Sequence, residues 1–260
     1  MQASAPSMRR VAGRTAIVTA GGQGIGAAIS RTLAREGARV AVADRNQPEA
    51  TRVVAEITAA GGTAMMIAID ATKADSVAQM TQAVLAQWGQ VDILVNGAGG
   101  FTRIAPIADI SEEEWDHVIN LNLKSAFLCA RAVVPGMIAR RSGRIINITS
   151  GAGISPNPFA PTYLAYAAGK AGMIGFAKAL ASELGPHNIT VNCVAPGTAR
   201  TPRVLKVRDA ESLAKIAAQN PMRSLIEPQD CADTVLFLAS DEARFITGET
   251  IKVNAGNLIM

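Results

Sequence analysis

Thr15-Ala16-Ile17-Val18-Thr19-Ala20-Gly21-Gly22-Gln23-Gly24-Ile25-Gly26 is the stretch on which the fold turns. Five strand-forming residues run into a glycine-rich turn, and a segment of helical spacing, Gly24 to Glu36, begins at once. Glycines at such a turn let the backbone bend sharply and approach a ligand closely, while the helix beyond offers unpaired N–H groups and a positive dipole end. Strand, glycine turn and helix in that order suit a dinucleotide pyrophosphate, with Gly21, Gln23, Gly24, Ile25 and Gly26 as the candidate cradle. Alone, the same glycines would serve a tight connection equally well, so the rest of the chain decides.

Outward from that stretch, short β-branched runs alternate with longer helical ones. Strands are predicted at 15–19, 40–43, 64–69, 93–95, 144–148, 190–194 and 250–253, and helices at 24–36, 48–60, 76–88, 112–140, 163–184 and 229–239. Strands separated by helices imply right-handed crossovers, hence a seven-stranded parallel sheet flanked by helices. The expected fold is α/β, a single-domain doubly wound (Rossmann) architecture over residues 11–260, behind a disordered extension at 1–10. Thr201 to Met222 breaks the rhythm and reads as a mobile, partly helical lid.

Composition narrows the function. With 49% apolar and 18% charged residues there is ample material for a core, and a net charge of +4 without a basic cluster marks no nucleic-acid partner. Cys129, Cys193 and Cys231 are odd in number and widely spaced, which fits a reducing compartment and gives no metal site. No run of eighteen apolar residues and no apolar leader is visible, so no membrane partner and a cytoplasmic location are expected.

Further strand ends carry polar or small residues. Asp44 closes the second strand eighteen residues after Gly26, where a carboxylate accepts hydrogen bonds from the adenosine ribose and repels a 2′-phosphate. Arg45 follows and offsets part of that repulsion, but Gln23 adds no basic group to the loop, so NAD is expected rather than NADP. Asp70-Ala71 ends the third strand and Asn96-Gly97-Ala98-Gly99 the fourth, leaving room for the cofactor. Tyr166 and Lys170 are i and i+4 neighbours on one helix, a spacing at which an ammonium lowers a phenol pKa toward the working range of an acid/base. Ser150, at the end of the fifth strand, reaches the same sheet edge and can orient a carbonyl.

The order glycine loop, Asn-x-Ala-Gly, Ser, Tyr-x-x-x-Lys and Pro-Gly resembles the short-chain dehydrogenase/reductase family over nearly the whole chain after Arg10. The resemblance implies that Asn122 holds a proton relay through a backbone kink, that Ser150 orients the carbonyl, that Tyr166 exchanges the proton, and that Lys170 binds the nicotinamide ribose while lowering the tyrosine pKa. It also implies cofactor contacts from Pro196, Gly197, Ala199 and Thr201. Three features depart from the family pattern. Ala20 replaces a loop glycine and should be tolerated through a negative φ. Ser150 and Tyr166 are sixteen residues apart rather than thirteen, the excess falling in 156–161. Gly97 replaces a second asparagine, a change expected to be minor. Tyr163 stands thirteen from Ser150 but has Ala167 four residues on, so it is a candidate substrate contact and not the paired acid.

These readings converge on an NAD-dependent alcohol dehydrogenase or ketone reductase acting on a fairly apolar secondary alcohol or ketone. Phe101, Phe159, Tyr163 and Leu205, with Ser150, are the candidate substrate contacts, and Arg103, Arg200 and Arg203 the candidate partners of an anionic group. The alternatives are an NADP-dependent 3-oxoacyl-carrier reductase, and a non-catalytic NAD-binding sensor or scaffold. A small molecule is the expected partner, and the family resemblance implies a homotetramer.

Overall fold

The computed structural model describes residues 9–155 and 163–259. Among them seven strands form one parallel sheet: β1 (Thr15–Thr19), β2 (Arg39–Asp44), β3 (Thr63–Ala68), β4 (Ile93–Asn96), β5 (Gly143–Ile148), β6 (Ile189–Pro196) and β7 (Thr250–Val253). The helices are α1 (Gly24–Arg35), α2 (Gln47–Ala59), α3 (Ala74–Trp88), α4 (Glu112–Ile119), α5 (Ser125–Arg140), α6 (Leu164–Leu184), α7 (Pro202–Val207), α8 (Ala210–Gln219) and α9 (Pro228–Ala239). The spatial order is β3-β2-β1-β4-β5-β6-β7. Winding therefore reverses between β1 and β4, and a crevice opens at their carboxyl ends.

Period-two alternation sends side chains from each strand into two cores. Val18, Val42, Val95 and Ile146 meet Ile29 and Leu33 of α1 and Val235 of α9 on one face. Ile17, Ala41, Leu94 and Ile145 meet Met80 of α3, Leu128 and Met137 of α5 and Leu184 of α6 on the other. Both faces are covered, which is why the strands read as apolar runs rather than alternating ones. The helical run 112–140 is long and apolar enough by length and composition to cross a bilayer, yet half of its most apolar window is buried in the domain. Its apolar residues supply the second core.

The helix expected over 112–140 is interrupted. Between α4 and α5 a π turn occupies Asn120–Lys124, an insertion of one residue that shifts the facing of the helix and leaves Asn122 fully buried. The segment 201–222 contains α7 and α8, and a bridge between Ala199 and Ile226 ties its start to its end. Of the extension expected at 1–10, only residues 9 and 10 are among the described residues. Arg10 belongs to the domain, its main-chain N–H donating to Glu36 (3.2 Å) and its guanidinium to Glu242 (2.9 Å); residues 1–8 lie outside the described residues.

Ala20 has φ +53, not the negative value expected for a residue that tolerates a methyl. The chain must leave β1 so that the Ala20 carbonyl packs onto Gly26, where a Cβ would stand 2.0 Å from that oxygen. The left-handed conformation costs an L-residue about 1–2 kcal/mol, partly offset by the greater freedom a glycine would have in the unfolded chain, about 0.4–1 kcal/mol. Ala20→Gly should therefore raise the melting temperature by about 1–3 °C. A lowered melting temperature in calorimetry would contradict the strain assigned to this residue.

Candidate active site

Cofactor geometry starts at α1. Gln23 precedes the helix without a side-chain cap, and the first turn carries no acidic residue, so the opening N–H groups remain available to an anion. Gly26 gives the close approach of helix to turn described above. The Thr201 methyl lies 3.1 Å from where a Gly24 Cβ would stand, which brings the start of α7 against the glycine loop. Asp44 closes the other side: it accepts N–H bonds from Gly22 and from Asn46, both at 2.9 Å. Its carboxylate thus braces the loop as well as facing the expected ribose position, and Arg45 is exposed beside it.

Other expected cofactor residues fall into two groups. Asp70 accepts from the Thr72 N–H (3.0 Å) and hydroxyl (2.7 Å), which hold its carboxyl below the usual range, and Ala71 is buried next to it. Asn96 does not present its amide to the crevice. Its Nδ2 donates to Asn147 Oδ1 (2.9 Å) across the β4–β5 pair, so that side chain is a strand tie and only its main chain is left for a ligand. Gly97 is more constrained than expected: a Cβ there would stand 2.5 Å from the Thr19 carbonyl, so any larger residue requires a shifted backbone. Beyond β6, Gly197 N–H donates to Val253 O (2.8 Å) and Thr201 N–H takes the Ala199 carbonyl (2.8 Å). Pro196 ends β6 at this point.

Two members of the expected acid/base group, Lys170 and Asn122, meet at Gly99, with Ala98 one residue before it on the connection out of β4. A Cβ at Gly99 would stand 2.7 Å from Lys170 Nζ and 2.8 Å from Asn122 Oδ1. Asn122 donates from Nδ2 to the carbonyls of Gly100 (2.6 Å) and Val118 (2.8 Å) and accepts from Gly100 N–H (3.0 Å). Lys170, one turn after Tyr166 in α6, donates to the Ile148 carbonyl at 2.8 Å. Ser150 accepts from Ala152 N–H (3.2 Å), and its hydroxyl is close enough to the Tyr166 phenol to draw that phenol's pKa down. Elements from four parts of the chain therefore bring Asn122, Ser150, Tyr166 and Lys170 together.

On the expected substrate side the chain's two tyrosines meet Phe101. Its ring centre is 4.2 Å from that of Tyr163 and 5.6 Å, edge-on, from that of Tyr166. Arg203 stacks over Phe101 at 4.7 Å, and Arg208 reaches the Tyr163 hydroxyl at 3.5 Å. Sequence reasoning offered Arg203 as one of three arginines and missed Arg208, since nothing in local spacing shows that α7 folds back over this ring. A small cavity beside Tyr166 is lined by Phe101, Ile110, Val118 and Tyr163 but not by Leu205, which is half exposed on α7. Phe159 and the loop 156–161 lie outside the described residues.

Comparison with known proteins followed the same lines. A family profile described as enoyl-(acyl carrier protein) reductase matches residues 19–257. The chain is 42% identical over 244 residues to the 3-oxoacyl-(acyl-carrier-protein) reductase FabG of Staphylococcus epidermidis, covering 94% of this chain and 98% of that one. The FabG of Escherichia coli is 41% identical over 244 residues, 94% of this chain and 97% of its own. Among solved structures, the crystal structure of gox2181 has a TM-score of 0.92 at 34% identity, covering 96% of this chain and 97% of that one.

Burial acts on both members of the Tyr166–Lys170 pair. It pushes the Tyr166 phenol up, while Ser150 and the charge of Arg203 pull it back, and Lys170 Nζ stands 5.7 Å from the centre of the Tyr166 ring. The Lys170 amine is bonded to a main-chain carbonyl, and burial lowers its pKa to about 8, so it keeps its charge at neutral pH and loses it not far above. In the cofactor-free protein, carbon-13 NMR of the lysine ε-methylenes should show one resonance titrating near 8, absent from Lys170→Met. Titration of every lysine near about 10.4 would contradict the burial assigned to this side chain.

Proposed function

The chain belongs to the short-chain dehydrogenase/reductase family, and we propose that it is an NAD(H)-dependent ketoreductase of 3-oxoacyl compounds with Tyr166 as its acid/base. The observation that carries this reading is the meeting of Lys170 and Asn122 at Gly99, with Tyr166 one turn before Lys170 on α6 and Ser150 acting on its phenol. The names of the relatives favour a 3-oxoacyl carbonyl over the broader secondary alcohol or ketone that the sequence suggested.

When bound, the nicotinamide supplies the hydride, two electrons delivered to the carbonyl carbon. Ser150 donates a hydrogen bond to the carbonyl oxygen and so polarises it. Tyr166 releases its phenolic proton to the same oxygen as negative charge develops there, and the product is the 3-hydroxy compound. A phenol whose pKa is raised by burial keeps its proton at neutral pH, which suits the donor role and hence the reductive direction. Lys170 would hold the nicotinamide ribose, and Asn122 keeps the π turn and the Gly100 backbone in place for proton return. Aromatic rings on one side and α7 on the other limit water at the reacting carbon.

Cofactor choice rests on Asp44, whose charge opposes a 2′-phosphate while the glycine loop offers no basic side chain. The second reading, NADP(H), finds support in the open cavity beyond β2 bounded by Arg45, Gln47 and Thr51. Absorbance assays with a 3-oxobutanoyl thioester should show kcat/KM for NADH at least about tenfold above that for NADPH, and Asp44→Ala should narrow the ratio by about tenfold, the effect of one like-charge contact of about 1.4 kcal/mol. NADPH preference in the wild type would overturn the cofactor assignment. NADH binding without oxidation by any 3-oxo compound would favour a sensor.

A further inference from the structure

Of the three arginines that the sequence offers as partners of an anionic group, two are already paired with carboxylates. Arg103 pairs with Glu114 (2.9 Å) and Arg200 with Glu227 (3.2 Å). Arg203 forms no ion pair among the described residues.

Although Arg203 is exposed, three contacts hold its guanidinium. Its Nη2 donates to the Phe101 carbonyl at 2.8 Å, its plane centre lies 4.7 Å from the Phe101 ring, and Nη1 occupies space that a Cβ at Gly100 would invade at 2.5 Å. An aromatic face and one carbonyl fix the fork without cancelling its charge, and leave most of its five donors free. The same Phe101 ring is edge-on to Tyr166, so the cation stands within electrostatic reach of the reacting phenol. Arg208, at the far end of α7, adds beside Tyr163 a second guanidinium with no ion pair among the described residues.

We propose that Arg203 is a specificity-determining residue that selects a substrate bearing a carboxylate close to the reacting carbonyl, a free 3-oxo acid in preference to its uncharged ester. This rests on the ketoreductase reading above. A planar carboxylate accepts two parallel N–H bonds from a guanidinium fork, which orients the chain of the acid as well as attracting it. The neutral ester offers no such charge.

The test compares 3-oxobutanoate with methyl 3-oxobutanoate at saturating NADH. Wild-type kcat/KM should favour the acid by about tenfold or more, mainly through KM, and added salt should shrink that ratio. Arg203→Gln should bring the ratio toward one and remove its salt dependence; Arg203→Lys, keeping charge without the fork, should restore part of it. A wild-type ratio near one, or an equal loss on both substrates in Arg203→Gln with the ratio intact, would overturn the proposal. Reduction of the ester with the acid ignored leaves the ketoreductase reading standing and removes this one. Failure to reduce any 3-oxo compound removes the ketoreductase reading and this proposal with it.

Discussion

Gly99 has no side chain at the point where an ammonium and a carboxamide need the space, and the site depends on that vacancy. Lys170 Nζ and Asn122 Oδ1 both lie within 3 Å of where its Cβ would be. A methyl there would separate the two, and with them the elements that carry them: β4 leading into the Gly99 loop, the π turn at Asn120–Lys124, and α6 with Tyr166 one turn before Lys170. Asn122 in turn fixes the Gly100 backbone by two hydrogen bonds and so sets where Phe101 enters the substrate side. One missing side chain is thus continuous with both the acid/base group and the aromatic wall.

The same burial acts oppositely on the two titratable partners. Water exclusion disfavours charge, so the amine of Lys170 loses protons more readily and the phenol of Tyr166 holds its proton more tightly. Each is moved toward neutrality. Arg203, from a segment with no periodic signature, adds a positive charge that lowers the Tyr166 phenol against this burial.

The sheet was legible because its evidence is local and repeated. Apolar runs of strand length, helices of regular period and glycine turns at strand ends placed all seven strands within two residues of their observed limits. Ser150, Tyr166 and Lys170 were legible through chain order and spacing. Less so were features that depend on tertiary contact or on a single turn. A π turn differs from an α turn by one residue, too little to disturb the pattern over 112–140. The sign of φ at Ala20 follows from packing against Gly26, and the use of Asn96 follows from Asn147 on the next strand. Arg203 became distinct from Arg103 and Arg200 only when the carboxylates beside the latter two were located in space.

The central claim is that the Tyr166 hydroxyl handles the proton while its ring merely belongs to the wall formed with Phe101 and Tyr163. Tyr166→Phe removes the hydroxyl and keeps the ring, which makes it the most direct test. The account predicts that kcat for the 3-oxoacyl substrate falls by about 10²–10⁴-fold, the range of a lost general acid, while fluorescence titration finds NADH affinity nearly unchanged. Turnover close to that of the wild type would contradict it.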